Sequence, residues 1–560
     1  MKLCELIKDL SGYFQDEKGQ KITDENLVRE LLETRITSVT NDSRKAGPGS
    51  LFFCIEGAVS DGHDYAGKAL DSGAAALIVQ KDPGLEEYFA ESSGIILKRN
   101  DVQAAENTAG DLENRKKRDE GLSSYPAIVR VDNSRHAMAV ISAAFYRHPA
   151  REMKVIGITG TKGKTTTTYM IRSILEEAGI PTGLVGTIET LYRTTSGEVR
   201  IPSANTTPES IVLQKTLRDM ADAGMQAVVM EVSSQALMLE RVGGFIFDIG
   251  IFTNLSPDHV GPNEHRDFED YLHCKSLLFR QCRTGILNGD DPYCERILEG
   301  HTCTVETFGL GRSNGLRAEK IELIHTPGEL GIAFDVISAK ESLNLQDPLS
   351  VQESQGGQAP LRVHVPAPGS FSVYNALCAI AVCRHFNVPD DAVREALKRV
   401  HVRGRIEMIR VSDAFTLMID YAHNAMALES LLKTLREYEP GRLVCLFGCG
   451  GNRARSRRFE MGEVSGRLAD LTIITSDNPR NEDPMDIIED IVTGIRPTGG
   501  QFVRIPDRKE AIRYAIEHGQ PRDIIVLAGK GHEDYQEIRG KKYPMDERVL
   551  IREIMDESGL

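Results

Sequence analysis

The sequence has no long hydrophobic run, no paired-cysteine motif and no excess of positive charge. No apolar stretch approaches the roughly 20 residues that cross a bilayer, so we expect no membrane-spanning segment. The first residues, MKLCELIKDLSGYF, are typical of an amphipathic helix and lack the apolar centre and cleavage site of a signal peptide. The net charge of −15 argues against general nucleic-acid binding, which requires basic surfaces.

The ten cysteines show no pattern typical of a zinc site. None forms a Cys-x-x-Cys pair, and Cys445 and Cys449 lack the further ligands that zinc requires. We interpret all ten as reduced thiols of a cytoplasmic protein. The 560 residues exceed what one core can organise, and 41% hydrophobic residues are ordinary for a globular chain, so three domains are expected. We also expect a monomer.

The segment VIGITGTKGKTTTT, residues 155–168, carries the strongest motif. An apolar strand leads into a glycine-rich turn that ends in Gly163-Lys164-Thr165, and a helix-compatible segment follows. This order builds a phosphate cradle from backbone N–H groups and a helix N-terminus, with Lys164 adding charge and Thr165 offering a hydroxyl to Mg²⁺. The alternative is a glycine-rich turn that binds nothing, which fits the strand–helix context poorly.

Apolar runs alternate with helical segments along most of the chain, which predicts an α/β fold with mostly parallel sheets. We predict an N-terminal α/β domain over residues 1–150, a central phosphate-loop domain over 151–402 and a Rossmann-like domain over 403–560. Two polar stretches, 99–126 and 340–360, are interpreted as exposed insertions. In the third domain three strands are each followed by a polar or glycine-rich turn, GCGGNR, SDNPRNEDP and GKGHED, and together these turns predict a pocket.

Several other residues are ambiguous on their own. Glu231 ends a predicted strand and either holds Mg²⁺ opposite Thr165 or is a solvated strand-end carboxylate. His259 is a metal ligand or a hydrogen-bonded structural histidine. Lys275 has the pattern of a helix-surface lysine, and the Asp477–Arg480 turn either binds a ligand or is a proline-stabilised turn with a solvated arginine.

Taken together, many short segments resemble the Mur ligases, ATP-dependent amide-forming enzymes of peptidoglycan precursor synthesis. The segments span nearly the whole chain in the expected order, apart from the two insertions. They are Asp42–Arg44, Asp61–His63, the phosphate loop, Asn205–Pro208, Glu231–Ser234, Asn254–His259, Tyr271–Lys275, Pro368–Phe371 with Asn375, Gly404–Arg405, Asp420–His423, Phe447–Gly451, Asp477–Arg480 and Gly529–Glu533.

The resemblance implies a reaction and its cofactors. ATP would phosphorylate the D-Glu carboxylate of UDP-MurNAc-L-Ala-D-Glu, and an amino-acid amine would then attack the acyl phosphate. It implies Lys164, His259 and Lys275 as catalytic residues, with Mg²⁺ held by Thr165, Glu231, His259 and a carbamylated Lys275. The ATP site implied by the family motifs consists of Gly160, Thr161, Gly163, Lys164, Thr165, Thr166, Asn375, Arg405, Asp420 and His423.

The two other substrates have implied sites as well. The UDP-muramoyl dipeptide would lie against the first domain and the face of the second, where Ser43 matches a nucleotide contact and Thr206, Thr207, Ser233 and Arg241 match muramoyl-peptide contacts. The amino acid matches Arg453, Asp477, Asn478, Arg480, Gly529 and Glu533, with Asn478 and Glu533 receiving the distal amine. The chain departs from the family pattern at Leu239, at Lys162 and in the segment 261–265.

Charge predicts which amino acid is added. The arginine of Asp477-Asn-Pro-Arg480 can pair with a distal carboxylate, which meso-diaminopimelate has and L-lysine lacks. We therefore expect meso-diaminopimelate, with the same ligase adding L-lysine as the nearest alternative. Three further alternatives are a folylpolyglutamate synthetase-like ligase, a phosphate-loop ATPase without ligase activity and a non-enzymatic binding module.

Overall fold

The computed structural model describes residues 1–57, 60–86, 88–89, 126–257, 261, 264–326, 329–338 and 360–558. The two predicted insertions lie almost entirely outside the described residues. Three separate main sheets organise the described chain, one after another along the sequence. Within the described part, no helix is both long and apolar enough to cross a bilayer.

The N-terminal sheet has five strands in the order β1-β5-β4-β3-β2, with only β1 antiparallel to its neighbour. Its strands are β1 Gly12–Phe14, β2 Ser38–Thr40, β3 Ser50–Phe53, β4 Ala76–Val79 and β5 Ala127–Val131. Its helices are α1 Leu3–Ile7, α2 Glu25–Leu32, α3 Ala66–Asp71 and α4 Ser134–Phe145. Apolar clusters cover both faces of this sheet.

The predicted N-terminal amphipathic helix is shorter than expected. The helix ends after Ile7, and the following Gly12–Phe14 forms β1 instead. Gly12 lies so close to β5 that a Cβ would come 2.7 Å from the carbonyl oxygen of Arg130. Pairing with β5 therefore overrides the helical pattern, because a glycine is a poor helix residue and fits this close approach.

The central sheet has eleven strands in the order β16-β15-β14-β13-β12-β11-β6-β10-β7-β8-β9. The middle is parallel, and antiparallel hairpins extend both edges. Its strands are β6 Lys154–Thr159, β7 Thr182–Val185, β8 Glu189–Thr194, β9 Gly197–Pro202, β10 Ala227–Glu231, β11 Phe247–Phe252, β12 Cys282–Asn288, β13 Thr304–Gly309, β14 Leu316–Thr326, β15 Glu329–Ser338 and β16 Leu361–Val365. Its helices are α5 Lys164–Glu177, α6 Ser210–Asp222, α7 Ser234–Met238, α8 Phe268–Ser276, α9 Cys294–Ile297, α10 Ser370–Arg384 and α11 Asp390–Arg399.

The C-terminal sheet has six strands in the order β17-β18-β22-β19-β20-β21, and only β17 is antiparallel. Its strands are β17 Glu407–Ile409, β18 Thr416–Asp420, β19 Leu443–Phe447, β20 Leu471–Ile474, β21 Phe502–Arg504 and β22 Ile524–Ala528, followed by the hairpin β23 Tyr535–Ile538 and β24 Lys541–Pro544. Its helices are α12 Ala425–Arg436, α13 Ser456–Leu468, α14 Pro484–Ile495, α15 Arg508–Glu517 and α16 Glu547–Ser558. Apolar clusters on both faces make this a doubly wound sheet, as predicted.

The central and C-terminal sheets are joined by direct contacts and by the chain itself. The Tyr438 hydroxyl donates to the Gly331 carbonyl at 2.8 Å and accepts from the Gly369 N–H at 3.2 Å. The connection between α11 and β17 passes Gly404, whose φ is +68°. A Cβ there would lie 2.0 Å from the backbone nitrogen of His532, so this connection presses against the Gly529–Glu533 turn.

Candidate active site

The phosphate loop lies at the carboxyl end of β6, between Thr159 and Lys164. Gly160 and Gly163 have φ values of +145° and +86°, which residues other than glycine rarely adopt. A Cβ on Gly160 would lie 2.0 Å from Thr253 Oγ1, and one on Gly163 would lie 2.5 Å from Asn375 Oδ1. The glycines are therefore required by backbone conformation and by close packing, which holds the loop in one shape.

Two lysine ammonium groups meet at one carbonyl of this loop. Lys164 Nζ donates to the Gly160 oxygen at 2.8 Å, and Lys275 Nζ donates to the same oxygen at 2.9 Å. Lys275 is only 2% exposed and lies over the ring of Tyr271 at 4.4 Å. The Tyr271 hydroxyl is 3.1 Å from Thr161 Oγ1. Burial excludes the helix-surface alternative for Lys275 and places its ammonium group beside the loop.

Glu231 is buried next to the first turn of α5. It accepts hydrogen bonds from Thr165 Oγ1 at 3.0 Å, from the Thr187 N–H at 2.8 Å and from Thr187 Oγ1 at 3.0 Å. A Cβ on Gly186 would come within 2.6 Å of its Oε1. A solvated strand-end glutamate does not fit this burial. The hydroxyl and carboxylate oxygens are of the type that Mg²⁺ prefers.

The residues matched to the muramoyl dipeptide cluster beside Glu231, except for one. The Thr207 hydroxyl donates to the Glu231 carbonyl at 2.9 Å and accepts from the Ser233 N–H at 3.0 Å, and Thr206 Oγ1 is 3.1 Å from Thr187 Oγ1. Arg241 bridges the Thr207 carbonyl and Glu209. Ser43 is not part of this cluster. It begins a short 3₁₀ helix beside the N-terminal sheet, directly after Asp42.

Asn375, a nucleotide-matched residue outside the phosphate loop, packs against it, and one catalytic candidate cannot be placed. Asn375 on α10 is buried and accepts from Thr167 Oγ1 at 3.2 Å. Thr166 lies in the first turn of α5. His259 lies outside the described residues, so its predicted role as catalytic residue and metal ligand stays a prediction.

Arg405, Asp420 and His423 form a second cluster, at the carboxyl end of β18. Asp420 accepts from the N–H groups of Ile406 at 2.9 Å and Ala422 at 2.8 Å, and burial raises its pKa against the opposing effect of Arg405. The Arg405 guanidinium lies 4.7 Å from the Tyr421 ring centroid, and its Nε is buried without a hydrogen-bond partner. Desolvation by the surrounding protein lowers the pKa of His423, although its side chain is exposed.

His532 also contacts the Tyr421 ring, with the two ring centroids 4.7 Å apart. Burial, reinforced by Arg405, lowers the pKa of His532 to about 4. The ring is therefore neutral at pH 7. The Tyr421 ring thus contacts both a permanent cation and a neutral imidazole, and sequence reasoning did not assign a role to Tyr421 or to His532.

The turns after β19, β20 and β22 meet in a third cluster, which contains the residues matched to the amino acid. Arg480 Nε donates to Glu537 Oε2 at 3.0 Å, and its Nη1 donates to the Gly451 carbonyl at 2.7 Å. The Arg480 backbone N–H also donates to the Glu537 carbonyl at 2.9 Å. The guanidinium is thus fixed in orientation, which argues against the alternative of a solvated arginine.

The side-chain oxygen of Asn478 is already engaged in this cluster. Asn478 Oδ1 accepts from Lys530 Nζ and from the Glu537 N–H, both at 2.8 Å, and its Nδ2 donates to Glu533 Oε2 at 3.0 Å. Of the two residues predicted to receive an amine, Glu533 is therefore the better acceptor. Arg453 is exposed beside Gly450.

Gly529 connects the second and third clusters. Its N–H donates to the Asp420 carbonyl at 3.0 Å, and its φ is +104°. A Cβ there would lie 3.2 Å from Asp477 Oδ2. Sequence reasoning did not assign a role to Lys530 and Glu537, although both hold this cluster together. Lys530 carried a usable signal, because it is the first charged residue after the apolar strand β22.

The fold and these clusters define a phosphate-loop α/β protein with a glycine-rich loop on the central sheet and a charged side-chain cluster on the C-terminal sheet. Family models match three consecutive parts of the chain. They are the Mur ligase family, catalytic domain, at residues 35–146, the Mur ligase middle domain at 158–383 and the Mur ligase, glutamate ligase domain, at 404–531.

The chain belongs to the Mur ligase family. The UDP-N-acetylmuramoyl-L-alanyl-D-glutamate--2,6-diaminopimelate ligase of Caldanaerobacter subterraneus subsp. tengcongensis is 38% identical over 561 residues, covering 100% of both chains. The ligase of the same name from Clostridium botulinum is 38% identical over 545 residues, covering 95% of this chain and 99% of its own. A solved structure of a ligase with this name matches with a TM-score of 0.64 and 24% identity, covering 100% of this chain and 99% of that one, which supports the fold.

Proposed function

We propose that the chain is an ATP-dependent ligase that adds meso-diaminopimelate to UDP-MurNAc-L-Ala-D-Glu. The observation that carries this proposal is the meeting of Lys164 and Lys275 at the Gly160 carbonyl, beside the Thr165–Glu231 pair. This arrangement suits a reaction between two anions, because Lys164 offsets phosphate charge and Lys275, once carbamylated, would help to hold a cation between them. The names of its full-length relatives support the choice of substrates.

The first step transfers the γ-phosphoryl group of ATP to an oxygen of the D-Glu carboxylate, and ADP leaves. Both reactants are anions, so their repulsion must be offset where they meet. The loop N–H groups and the N-terminus of α5 bind the phosphates, and Lys164 moves from the Gly160 carbonyl to the transferred group. In the second step the incoming amine attacks the acyl carbon, the C–O bond to phosphate breaks, and the proton that the amine nitrogen loses passes to solvent.

The residues around Glu231 fit a magnesium ion, which would offset phosphate charge when bound. The Thr165 hydroxyl and the Glu231 carboxylate, which lie 3.0 Å apart, are both oxygen ligands of the kind that magnesium binds. The absence of a side chain at Gly186 leaves room beside this carboxylate, because a Cβ there would lie 2.6 Å from its Oε1. Thr165 and Glu231 would hold this ion. His259 and Lys275 are proposed for a second ion near the acceptor carboxylate.

Carbamylation of Lys275 would suit this second role. The modification replaces an ammonium group by a carboxylate, which attracts a cation where the ammonium would repel it. Lys275 is buried beside the loop, and its Nζ is 2.9 Å from the Gly160 carbonyl. The carbamate would therefore stand at the edge of the phosphate site, on the helix that also carries Tyr271.

Asn375, Arg405, Asp420 and His423 are proposed to contact the adenosine part of ATP. Asn375 lies on α10, which packs on the central sheet, whereas the other three lie beside β17 and β18 of the C-terminal sheet. ATP would therefore bridge the central and C-terminal domains. Closure of the predicted C-terminal domain on the central domain would then complete the site. The domain limits at 150/151 and 402/403 remain part of this proposal.

Arg480 is proposed to select the amino acid. Its guanidinium is oriented by Glu537 and the Gly451 carbonyl, and a distal carboxylate would pair with it. Glu533 would receive the distal amine, and Arg453 would add a second positive contact. L-Lysine would place an ammonium group opposite Arg480 and would be repelled.

The decisive experiment offers the purified protein ATP, UDP-MurNAc-L-Ala-D-Glu, Mg²⁺ and one amino acid at a time. We expect a tripeptide product with meso-diaminopimelate and little with L-lysine, measured by mass spectrometry. Equal turnover with L-lysine would reject the specificity but keep the ligase. ADP release that ignores both the dipeptide and the amino acid would reject the ligase and favour a simple ATPase.

We further propose that the chain acts in the cytoplasm on these small molecules. The ten cysteines are unpaired in the structure, which is compatible with reduced thiols. A monomer is expected, and light scattering of the purified protein would test it. A dimer would reject the expectation without affecting the reaction.

A further inference from the structure

Lys530 is fully buried, although lysine is rarely buried without partners. It lies directly after β22, in the Gly529–Glu533 turn. Removing an ammonium group from water is costly unless several acceptors surround it. A buried charge is not needed to form a turn. The groups that surround Lys530 therefore indicate the role of its charge.

Four oxygen atoms surround the Lys530 ammonium group. Its Nζ donates to the Tyr535 carbonyl at 2.6 Å, to Asn478 Oδ1 at 2.8 Å and to Glu533 Oε2 at 3.1 Å. An Asp477 carboxylate oxygen is 3.4 Å away. These acceptors come from the turns after β20 and β22 and from β23. Lys530 therefore ties together segments that are distant in the sequence.

The ammonium group also fixes the orientation of two side chains. Because an ammonium group only donates, the oxygen of Asn478 must face it, and the Asn478 nitrogen must face the other way. That nitrogen donates to Glu533 Oε2 at 3.0 Å. Lys530 and Asn478 both use Oε2 of Glu533, so neither of them occupies its second oxygen.

We propose that Lys530 is a positioning residue that sets the acceptor side of the amino-acid site and its selectivity. This inference rests on the proposed function. Lys530 holds Glu533 in place for the distal amine and offsets the negative charge of Glu533 and Asp477. Without the positive charge of Lys530 the site becomes more negative. It then discriminates less against L-lysine, which carries a distal ammonium group but no distal carboxylate.

The test compares Lys530→Met with the wild-type full chain in steady-state kinetics. We expect the KM for meso-diaminopimelate to rise about tenfold or more, because Glu533 loses its orientation. The KM values for ATP and for the UDP-dipeptide stay within about threefold, because their sites lie elsewhere. The ratio of kcat/KM for meso-diaminopimelate over L-lysine falls by about tenfold, a change that general loss of structure would not produce.

Lys542→Met is the matched control. Lys542 is exposed on β24, and its Nζ lies 3.9 Å from the centroid of the Tyr535 ring, whereas Lys530 Nζ lies 5.3 Å from the same centroid. The control removes the same charge beside the same ring. We expect all its kinetic constants to stay within about twofold of the wild type, because solvent screens an exposed charge.

Asn478→Asp tests the same inference if Lys530→Met does not fold. It keeps an oxygen facing Lys530 and the Glu537 N–H but replaces the donor to Glu533 by a carboxylate that repels it. The KM for meso-diaminopimelate should rise while the KM for ATP stays unchanged.

Two sets of results separate this inference from the proposed function. A wild-type chain that makes tripeptide, with a folded Lys530→Met whose amino-acid KM and selectivity are unchanged, overturns the role of Lys530 alone. An equal loss for all three substrates also overturns it, because that is the result of a structural role. A wild-type chain that makes no tripeptide from any amino acid overturns both.

Discussion

The phosphate loop and the amino-acid cluster achieve rigidity in different ways. The loop is one continuous segment, and backbone geometry at Gly160 and Gly163 fixes it against β11 and α10. The amino-acid cluster is assembled from separate turns by charged side chains, chiefly Lys530 and Arg480. A local backbone motif can therefore be recognised in a short stretch of sequence, whereas a cluster built by buried charges becomes visible only in the fold.

The two regions should therefore respond differently to substitution. Loss of a charge at the loop should reduce the rate with every amino acid, because all amino acids share the same phosphoryl transfer. Loss of a charge in the cluster should change the amino-acid KM and leave the ATP site intact.

Lys275→Ala should have the largest effect. We expect the rate to fall on the order of 10³-fold, because a charged group beside the phosphate loop is removed. A short-chain carboxylate such as propionate should partly restore the rate by entering the space that the side chain leaves. Phosphate release in the presence of all substrates measures both effects. Lys215→Ala, an exposed lysine of α6 paired with Asp219, is the control, and full activity of Lys275→Ala would refute the role.

Arg480→Ala should come next and should act on one substrate. The loss of a bidentate pair with the distal carboxylate costs about 2 to 4 kcal/mol, which raises the KM for meso-diaminopimelate by roughly 30- to 1,000-fold. The KM for ATP should hardly change. Arg410→Ala removes an exposed arginine that is paired with Asp413, and should leave both constants as they are. An equal rise of the KM values for meso-diaminopimelate and for ATP in Arg480→Ala would contradict the functional separation of the amino-acid cluster from the phosphate loop.

His532→Gln should change how stability depends on pH. The pKa of His532 is about 4 in the folded chain, below its ordinary value, because burial disfavours the charged ring. Between about pH 6.5 and 4 the unfolded chain binds the extra proton and the folded chain does not, so the folded state loses up to about 3 kcal/mol as the pH falls. We expect the wild-type urea midpoint to fall more steeply than that of the variant between pH 7 and 4.5. Parallel curves would show that His532 does not contribute.

Tyr271→Phe should have the smallest effect. It removes the hydroxyl that lies 3.1 Å from Thr161 Oγ1 but keeps the ring under Lys275. We expect a loss of about 1 kcal/mol in stability, typical of one hydrogen bond, with a nearly unchanged KM for the amino acid. Denaturant midpoints and steady-state kinetics measure the two quantities. A large rise in the amino-acid KM would contradict the separation of the two regions.

The sequence predicted the fold best where strands are continuous apolar runs. The strands predicted before the turns GCGGNR and GKGHED are present as β19 Leu443–Phe447 and β22 Ile524–Ala528, because both faces of a parallel sheet are covered and no polar residue interrupts these runs. The N-terminal helix was predicted too long, because the pairing of β1 with β5 depends on a strand more than 100 residues away.

The same reasoning separates the site residues. The glycines and Lys164 follow from the strand–turn–helix order alone. Lys275 needed the resemblance to a family, because its own helix does not reveal that it faces the loop. The roles of Lys530 and Glu537 could not be predicted from the sequence, because their hydrogen-bond partners lie on other segments of the chain. Periodicity reports which face of an element is apolar, but it does not report which distant charge lies opposite.

The close approach of Gly404 to the Gly529–Glu533 turn determines where the molecule can bend. Gly404 and Gly531 are so close that a Cβ on either would meet the backbone of the other, or Tyr421, within 3 Å. A swivel point at Gly404 would push these two stretches of backbone into one another. Any rotation of the C-terminal sheet would therefore carry Gly404 along with the Gly529–Glu533 turn.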